Sequence, residues 1–173
     1  MSMVARTRHR LEAAAEGVAL AGGIVLTGVA LLTVVAVISD AFGVPVLGDS
    51  EMVELAVGAA VAGFLPVCQM AGGHVAITLF TDRLPRPLRT AMDCLAAALM
   101  LIVAALLTWR LGAGGVDAFD RGRSTMFLQL PLWWGFLGAF LPCVLWVICA
   151  GFVLVERLLG QAPATTSQHG AAV

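Results

Sequence analysis

Hydrophobic positions along this chain fall into four long blocks, Gly17–Ser39, Met52–Ala71, Ala91–Leu111 and Leu132–Val155, separated by short stretches that hold almost all the charge. Each block is about 20–24 residues long, enough for a helix to cross a hydrocarbon core roughly 30 Å thick. The pattern predicts an all-α integral membrane protein with four transmembrane helices. The segments between the blocks are too short to build a soluble domain. The expected organisation is a cytoplasmic N-terminal segment at 1–16, a four-helix membrane domain at 17–157 (helices about 17–39, 52–71, 91–111 and 132–155), and a disordered cytoplasmic tail at 158–173. Within the first segment, VARTRHRLEAAAEG is expected to form a short helix on the cytoplasmic face, its arginines near anionic headgroups. Gly17–Ser39 exceeds the roughly 7–15 apolar residues of a secretory signal, and it is read as a retained helix.

The second block ends unusually, in GFLPVCQMAGGHVAITLFTDRLPRP. One helix from Met52 to Thr81 would be about 45 Å long at 1.5 Å per residue, too long for the core without a steep tilt. Gly72-Gly73 supplies a flexible point at which the chain leaves the membrane. The following VAITLF is then expected to lie along the interface as a short segment between helices two and three. Pro85 and Pro87 stop any helix there before the chain re-enters.

Composition agrees with this reading. The chain has 173 residues, 60% of them hydrophobic and 12% charged, whereas soluble domains average about 45–50% apolar and about 25% charged. All ten basic residues are arginines. Arg6, Arg8 and Arg10 precede helix one, Arg83, Arg86 and Arg89 fall between helices two and three, and Arg157 closes helix four. The opposite side has only Arg110, Arg121 and Arg123. The positive-inside bias therefore puts both termini in the cytoplasm, and Trp109, Trp133 and Trp134 at the outer interface, where an aromatic belt is expected. The chain is therefore expected to be a multi-pass membrane protein, in contact with lipid and not with nucleic acid.

Nothing in the chain suggests catalysis or a cofactor. Cys68, Cys94, Cys143 and Cys149 lie inside apolar blocks without CxxC spacing and read as small hydrophobes. A membrane haem would need axial ligands from facing helices, and none of His9, His74 and His169 lies at mid-membrane. Polar residues at the edges carry two readings each. Glu51 and Glu54 are either carboxylates favoured by a helix N-terminus, with Ser50 as a possible cap, or a partner contact or ion path. Asp93 reads as a helix-dipole residue. Gln69 is expected to bond across to a neighbouring helix or to backbone loosened by Pro66, and His74 is an interfacial turn residue or a specific contact. Pro66 and Pro142 remove the bonds to the carbonyls of Ala62 and Gly138 and are expected to kink their helices.

Three stretches also resemble a known family. GDSEMVEL after helix one, GGHVAITLFTDRLPRPLRTAMD between helices two and three, and STMFLQLPLWW before helix four are similar, in order and spacing from about Val34 to Val155, to the small permease subunit of TRAP transporters, the DctQ-like family. Glu51, His74, the Leu84-Pro85 pair and Pro131 match the family pattern. Ala76 and Thr78 stand where basic and acidic residues are common, and Asp40 lies near the place of a frequent arginine. The resemblance implies a tripartite system in which a periplasmic substrate-binding protein captures an organic acid such as a dicarboxylate. A large permease subunit carries it inward, coupled to an ion gradient, commonly sodium. The small subunit buttresses the large one, with Glu51, Pro131, Trp133 and Trp134 near the outer rim of the subunit interface and His74 near the inner rim. Ala59 and Gly63, and Gly135 and Gly138, suit close helix contact. Two alternatives stay open on the sequence: a dimeric four-helix exporter built around a membrane-embedded carboxylate, and an assembly or anchor subunit of another membrane complex. The helix-end positions of Glu51, Glu54 and Asp93 count against the exporter.

Overall fold

A computed structural model describes residues 3–71 and 86–158. The expected interfacial segment at 75–81, His74, and the tail beyond 158 lie outside the described residues. The described residues form four helices: α1 (Met3–Ala41), α2 (Asp49–Met70), α3 (Arg86–Asp120) and α4 (Trp133–Leu158). All four are long and apolar enough to cross a membrane, as the hydrophobic blocks require.

Two helices outrun their blocks. VARTRHRLEAAAEG is not a separate surface helix but the first turns of α1. The reason is local: between Arg10 and Gly17 the sequence is alanine, glutamate and leucine, all strong helix formers, and nothing breaks the run. α3 starts at Arg86, five residues ahead of its block. Pro87 therefore does not stop the helix as expected but lies in its first turn, where a proline is tolerated. The helix also continues nine residues past Leu111 to Asp120, through Gly112, Gly114 and Gly115. Glycine costs a helix roughly 1 kcal/mol relative to alanine. Here it is offset by packing, because the rings of Phe140 and Phe136 on α4 lie directly over these positions.

Side-chain contacts fix how the helices align. α4 runs antiparallel to α3, with the Thr108 hydroxyl donating to the Cys143 carbonyl at 3.2 Å and Phe119 edge-on to Trp133 at 5.9 Å. α2 and α4 run parallel, Gly135 against Leu55 and Gly138 against Ala59. α1 runs antiparallel to α2, Gly22 against Ala60 and Gly63 against Val18. The spatial order is α1–α2–α4–α3. This is an open row, with α1 and α3 at its edges, and not a bundle closed on itself. In the edge helices 11% of the most apolar stretch is buried, against 22% in α2 and 33% in α4. The shared core is a small cluster of Ala62, Ala139 and Cys143, joined by Leu65 and Leu111.

The small residues expected to suit close helix contact make such contacts within the chain. Gly63 admits the backbone of α1, and Ala59, Gly135 and Gly138 form the α2–α4 seam. Both helices continue through their prolines, and Pro66 is fully buried. Ser50 does not cap α2. The helix starts at Gly48, whose left-handed backbone (φ 87°) provides no side-chain bond.

Candidate subunit-interface site

The row has two ends, one carrying the chain termini and one carrying the 42–48 and 121–132 connections. At the connection end, α1 closes with the backbone N–H groups of Phe42 and Gly43 donating to the Ser39 and Asp40 carbonyls, and the Ser39 hydroxyl donating to Val44 O at 2.6 Å. Leu128 packs over Gly48, where a β-carbon would stand 2.7 Å from its side chain. The two connections therefore touch.

The 121–132 connection is built around a tight reversal. Ser124 and Pro131 pair as an isolated antiparallel bridge. Thr125 N–H donates to the Leu130 carbonyl at 2.9 Å, and Leu130 N–H returns to the Thr125 hydroxyl at 3.0 Å. At the tip Gln129 adopts a left-handed conformation (φ 53°). The Phe127 and Leu128 N–H groups of this hairpin meet Glu51 on α2. Phe127 N–H donates to Glu51 Oε1 at 2.8 Å and Leu128 N–H to Oε2 at 3.0 Å. One carboxylate thus satisfies two backbone donors contributed from 76 and 77 residues away, bonds of the charge-assisted and therefore stronger kind.

The residues expected at the outer rim now separate. Glu51 is engaged by the hairpin, and Pro131 closes that hairpin while its carbonyl accepts from Trp134 N–H at 3.2 Å. Trp133 is half-buried between Phe119 and Trp134. Trp134, edge-on to Trp133, is 61% exposed. Glu54, one turn below Glu51, is exposed and lines an open cleft of about 400 Å³ together with Leu55, Gly58, Thr125 and Phe136.

The terminal end is held differently, by charge. Arg8 donates to Glu12 at 2.8 Å and to Glu156 at 3.1 Å, tying α1 to α4. Glu156 is buried, so Arg8 supplies the counter-charge such a carboxylate needs. Arg157 pairs with Asp93 at 3.3 Å and also donates to the Asp93 carbonyl, tying α4 to α3. Because α3 begins at Arg86, Asp93 lies two turns inside the helix, past the first turn where a helix dipole acts; it is an ion-pair partner and not the helix-dipole residue expected. Between the two ends, Trp146 Nε1–H donates to Gln69 Oε1 at 3.4 Å across the α2–α4 seam, the inter-helix bond expected of that glutamine.

Sequence reasoning missed two features. The Arg8–Glu156 pair joins residues 148 apart. The hairpin has no strand-length signal. Arg8, Glu12 and Glu16 recur every four residues, a one-faced spacing that could have shown the helix reaching back to Met3. Among the described residues no three histidine, cysteine, aspartate or glutamate side chains are grouped so as to hold a metal ion.

Comparison with curated proteins and with solved structures gave no match. A family model described as "Tripartite ATP-independent periplasmic transporters, DctQ component" matches residues 29–162. The match begins in the middle of α1, takes in the Glu51-anchored hairpin, and ends just past α4. Proteins of this family are transporter components and not enzymes, and they work with a large permease and a binding protein. Since the match covers most of the chain, this multi-pass membrane protein belongs to the DctQ family, the small permease component of TRAP transporters.

Proposed function

We propose that this chain is a fixed buttress for the large permease subunit of a TRAP transporter, and that it does not itself form the path of the substrate. Supporting this is one observation: the polar contacts between helices hold the helices to one another. Arg8–Glu156, Arg157–Asp93, Glu51 with the hairpin, and Gln69–Trp146 all link helix to helix or helix to loop. Moving a carboxylate through hydrocarbon requires cationic groups or broken-helix ends near the bilayer midplane, and α2 and α4 run through that region unbroken. An open row of four helices offers two broad apolar faces, which suits widening a partner's footprint in the membrane.

In this reading a binding protein delivers an organic acid such as a dicarboxylate, the large subunit moves it inward with sodium, and the present chain contributes anchorage in the bacterial inner membrane. Both termini face the cytoplasm, so the Glu51 hairpin and Trp134 lie at the periplasmic rim. Trp134 touches the large subunit directly, while Glu51, Pro131 and Trp133 shape the rim from inside the chain. His74 is assigned to the inner rim on the family resemblance alone.

Reconstitution tests the role. Proteoliposomes holding this chain as their only membrane protein should show no uptake under a sodium gradient with binding protein present, whereas vesicles with both membrane subunits should accumulate substrate. Uptake by this chain alone would overturn the reading. Orientation has its own check: with the four native cysteines changed to alanine, the exposed Ser124→Cys should react with an impermeant maleimide from the periplasmic side. Labelling only from the cytoplasm would invert the topology.

A further inference from the structure

The register of α3 against α4 sets the depth of Arg110. Gly112 meets Phe140, Gly115 meets Phe136, and the Thr108 hydroxyl reaches the Cys143 carbonyl, so Arg110 stands level with Leu141. Gly138 of α4 meets Ala59, and Ala60 meets Gly22, which carries the same level to Ala62 on α2 and to Leu20 on α1. From there the apolar blocks continue toward the connection end as far as Leu132 on α4, Met52 on α2 and Ser39 on α1. The stretch from Leu141 to Leu132 alone is about 13 Å of helix. Were Arg110 at headgroup depth, all three stretches would stand in water. Arg110 is therefore set inside the apolar layer, and Trp109 beside it lies there too, not at the outer interface with Trp133 and Trp134.

Arg110 is the only charged residue of α3 between Asp93 and Asp117. It is exposed, and among the described residues it has no hydrogen bond or ion pair. Asp117, about 10 Å along the axis, is already paired with Arg121. Leu99, Val103, Leu106, Arg110 and Ala113 follow one another at alternating four- and three-residue steps, and all five are exposed. This stripe lies opposite the Thr108, Gly112 and Gly115 side that packs on α4. Its spacing is that of a seam between two helices. An unpaired cation within the apolar layer is costly and marks a functional contact.

The chemistry of Arg110 narrows what covers the stripe. Lipid tails offer no acceptor, and lipid phosphates lie outside the layer. Side-chain stems on α3 tilt toward its N-terminus, which is the terminal end, so that of Arg110 sets out away from the nearer boundary. A second copy packed through the same stripe about a twofold axis along the membrane normal would bring Arg110 against Arg110 at one depth, a costly juxtaposition of like charges. A helix of another protein bearing an acid satisfies both the seam and the charge. We propose that the α3 stripe seats a transmembrane helix of the large permease subunit, and that a carboxylate on that helix meets Arg110 within the membrane. The proposal rests on the buttress reading and names the edge of the row through which it acts. Arg110 faces outward from an edge helix, so it makes no path for substrate through this chain.

Co-purification of the two membrane subunits in mild detergent tests it, using the tagged full chain co-expressed with the large subunit. Arg110→Leu should leave the unfolding midpoint of the chain alone unchanged or raise it, since no contact within the chain is lost. Recovery of the large subunit should fall by about tenfold or more, the change that accompanies losing roughly 1.4 kcal/mol of binding. Arg110→Lys should keep most of the recovery, and Arg110→Glu should lose the most. A photoreactive phenylalanine analogue at Leu106 should cross-link to the large subunit. A lower midpoint for Arg110→Leu alone would show an acceptor within the chain and overturn the assignment. Unchanged recovery with both Arg110→Leu and Arg110→Glu, or cross-links only to lipid, to a second copy or within the chain, would overturn it too and leave the buttress reading standing. If the unaltered chain fails to recover the large subunit at all, the buttress reading itself falls.

Discussion

The two ends of this molecule solve the same problem with different chemistry. At the connection end, Glu51 accepts two directional bonds from backbone N–H groups, and the order achieved is local: a hairpin tip is fixed over the start of α2. At the terminal end, Arg8 and Arg157 connect whole helices through charge, and the buried Glu156 depends on one of them. Removing a group from the first region frees a loop. Removing one from the second leaves a charge without its partner between helices. Burial thus decides which end governs global stability, even though both sets of contacts have similar lengths.

The largest expected effect follows from breaking the deeper pair. Arg8→Ala leaves Glu156 buried opposite an empty position, and losing one member of a buried pair costs about 3 kcal/mol. A marked fall in the unfolding midpoint of detergent-solubilised protein would register it, and the double variant Arg8→Ala/Glu156→Leu should recover most of the loss. Equal loss in single and double variants would show that Arg8 acts through packing alone.

Arg157→Ala should cost less, on the order of 1 kcal/mol, because both partners retain some access to solvent. High salt should shrink the difference between this variant and the unaltered chain, and should barely alter the Arg8 effect. A reversed ranking of the two arginines would undo the burial argument.

Glu51→Gln should change the midpoint least. An amide offers one carbonyl oxygen in place of two carboxylate oxygens, so one of the Phe127 and Leu128 amides loses its acceptor. Hydrogen exchange should accelerate at those two amides while the amides in the α2–α4 seam remain unaffected. Faster exchange throughout α2 would mean that the hairpin supports the helix, and not the reverse.

Some of this was readable from the sequence and some was not, for reasons that can be named. The number of helices follows from block length against bilayer thickness, a one-dimensional comparison. The bond between Gln69 and a neighbouring helix was also foreseeable, because a buried amide oxygen needs a donor somewhere. Which helices become neighbours was not foreseeable. Gly135 and Gly138 announce a close approach without naming Leu55 and Ala59 as what approaches. Glu51 could be read as a helix-dipole residue or as a partner contact, but its bond to the hairpin was hidden because its partners are backbone atoms, which have no sequence identity.

The order of the row bears on how the protein is made. α1 with α2, and α3 with α4, are sequence-adjacent antiparallel pairs, so each can form as soon as its second helix leaves the ribosome. The α2–α4 seam can form only once synthesis is nearly complete, by lateral association of two finished hairpins in the bilayer. That seam behaves like a contact between separate polypeptides that happen to share a chain. Fragments 1–71 and 86–173, translated from separate messages, should therefore find each other in the membrane and be recovered together, and Gly135→Leu, which collides with Leu55, should abolish that recovery. Independent fragments that never associate would mean that the covalent link, and not the seam, holds the row together.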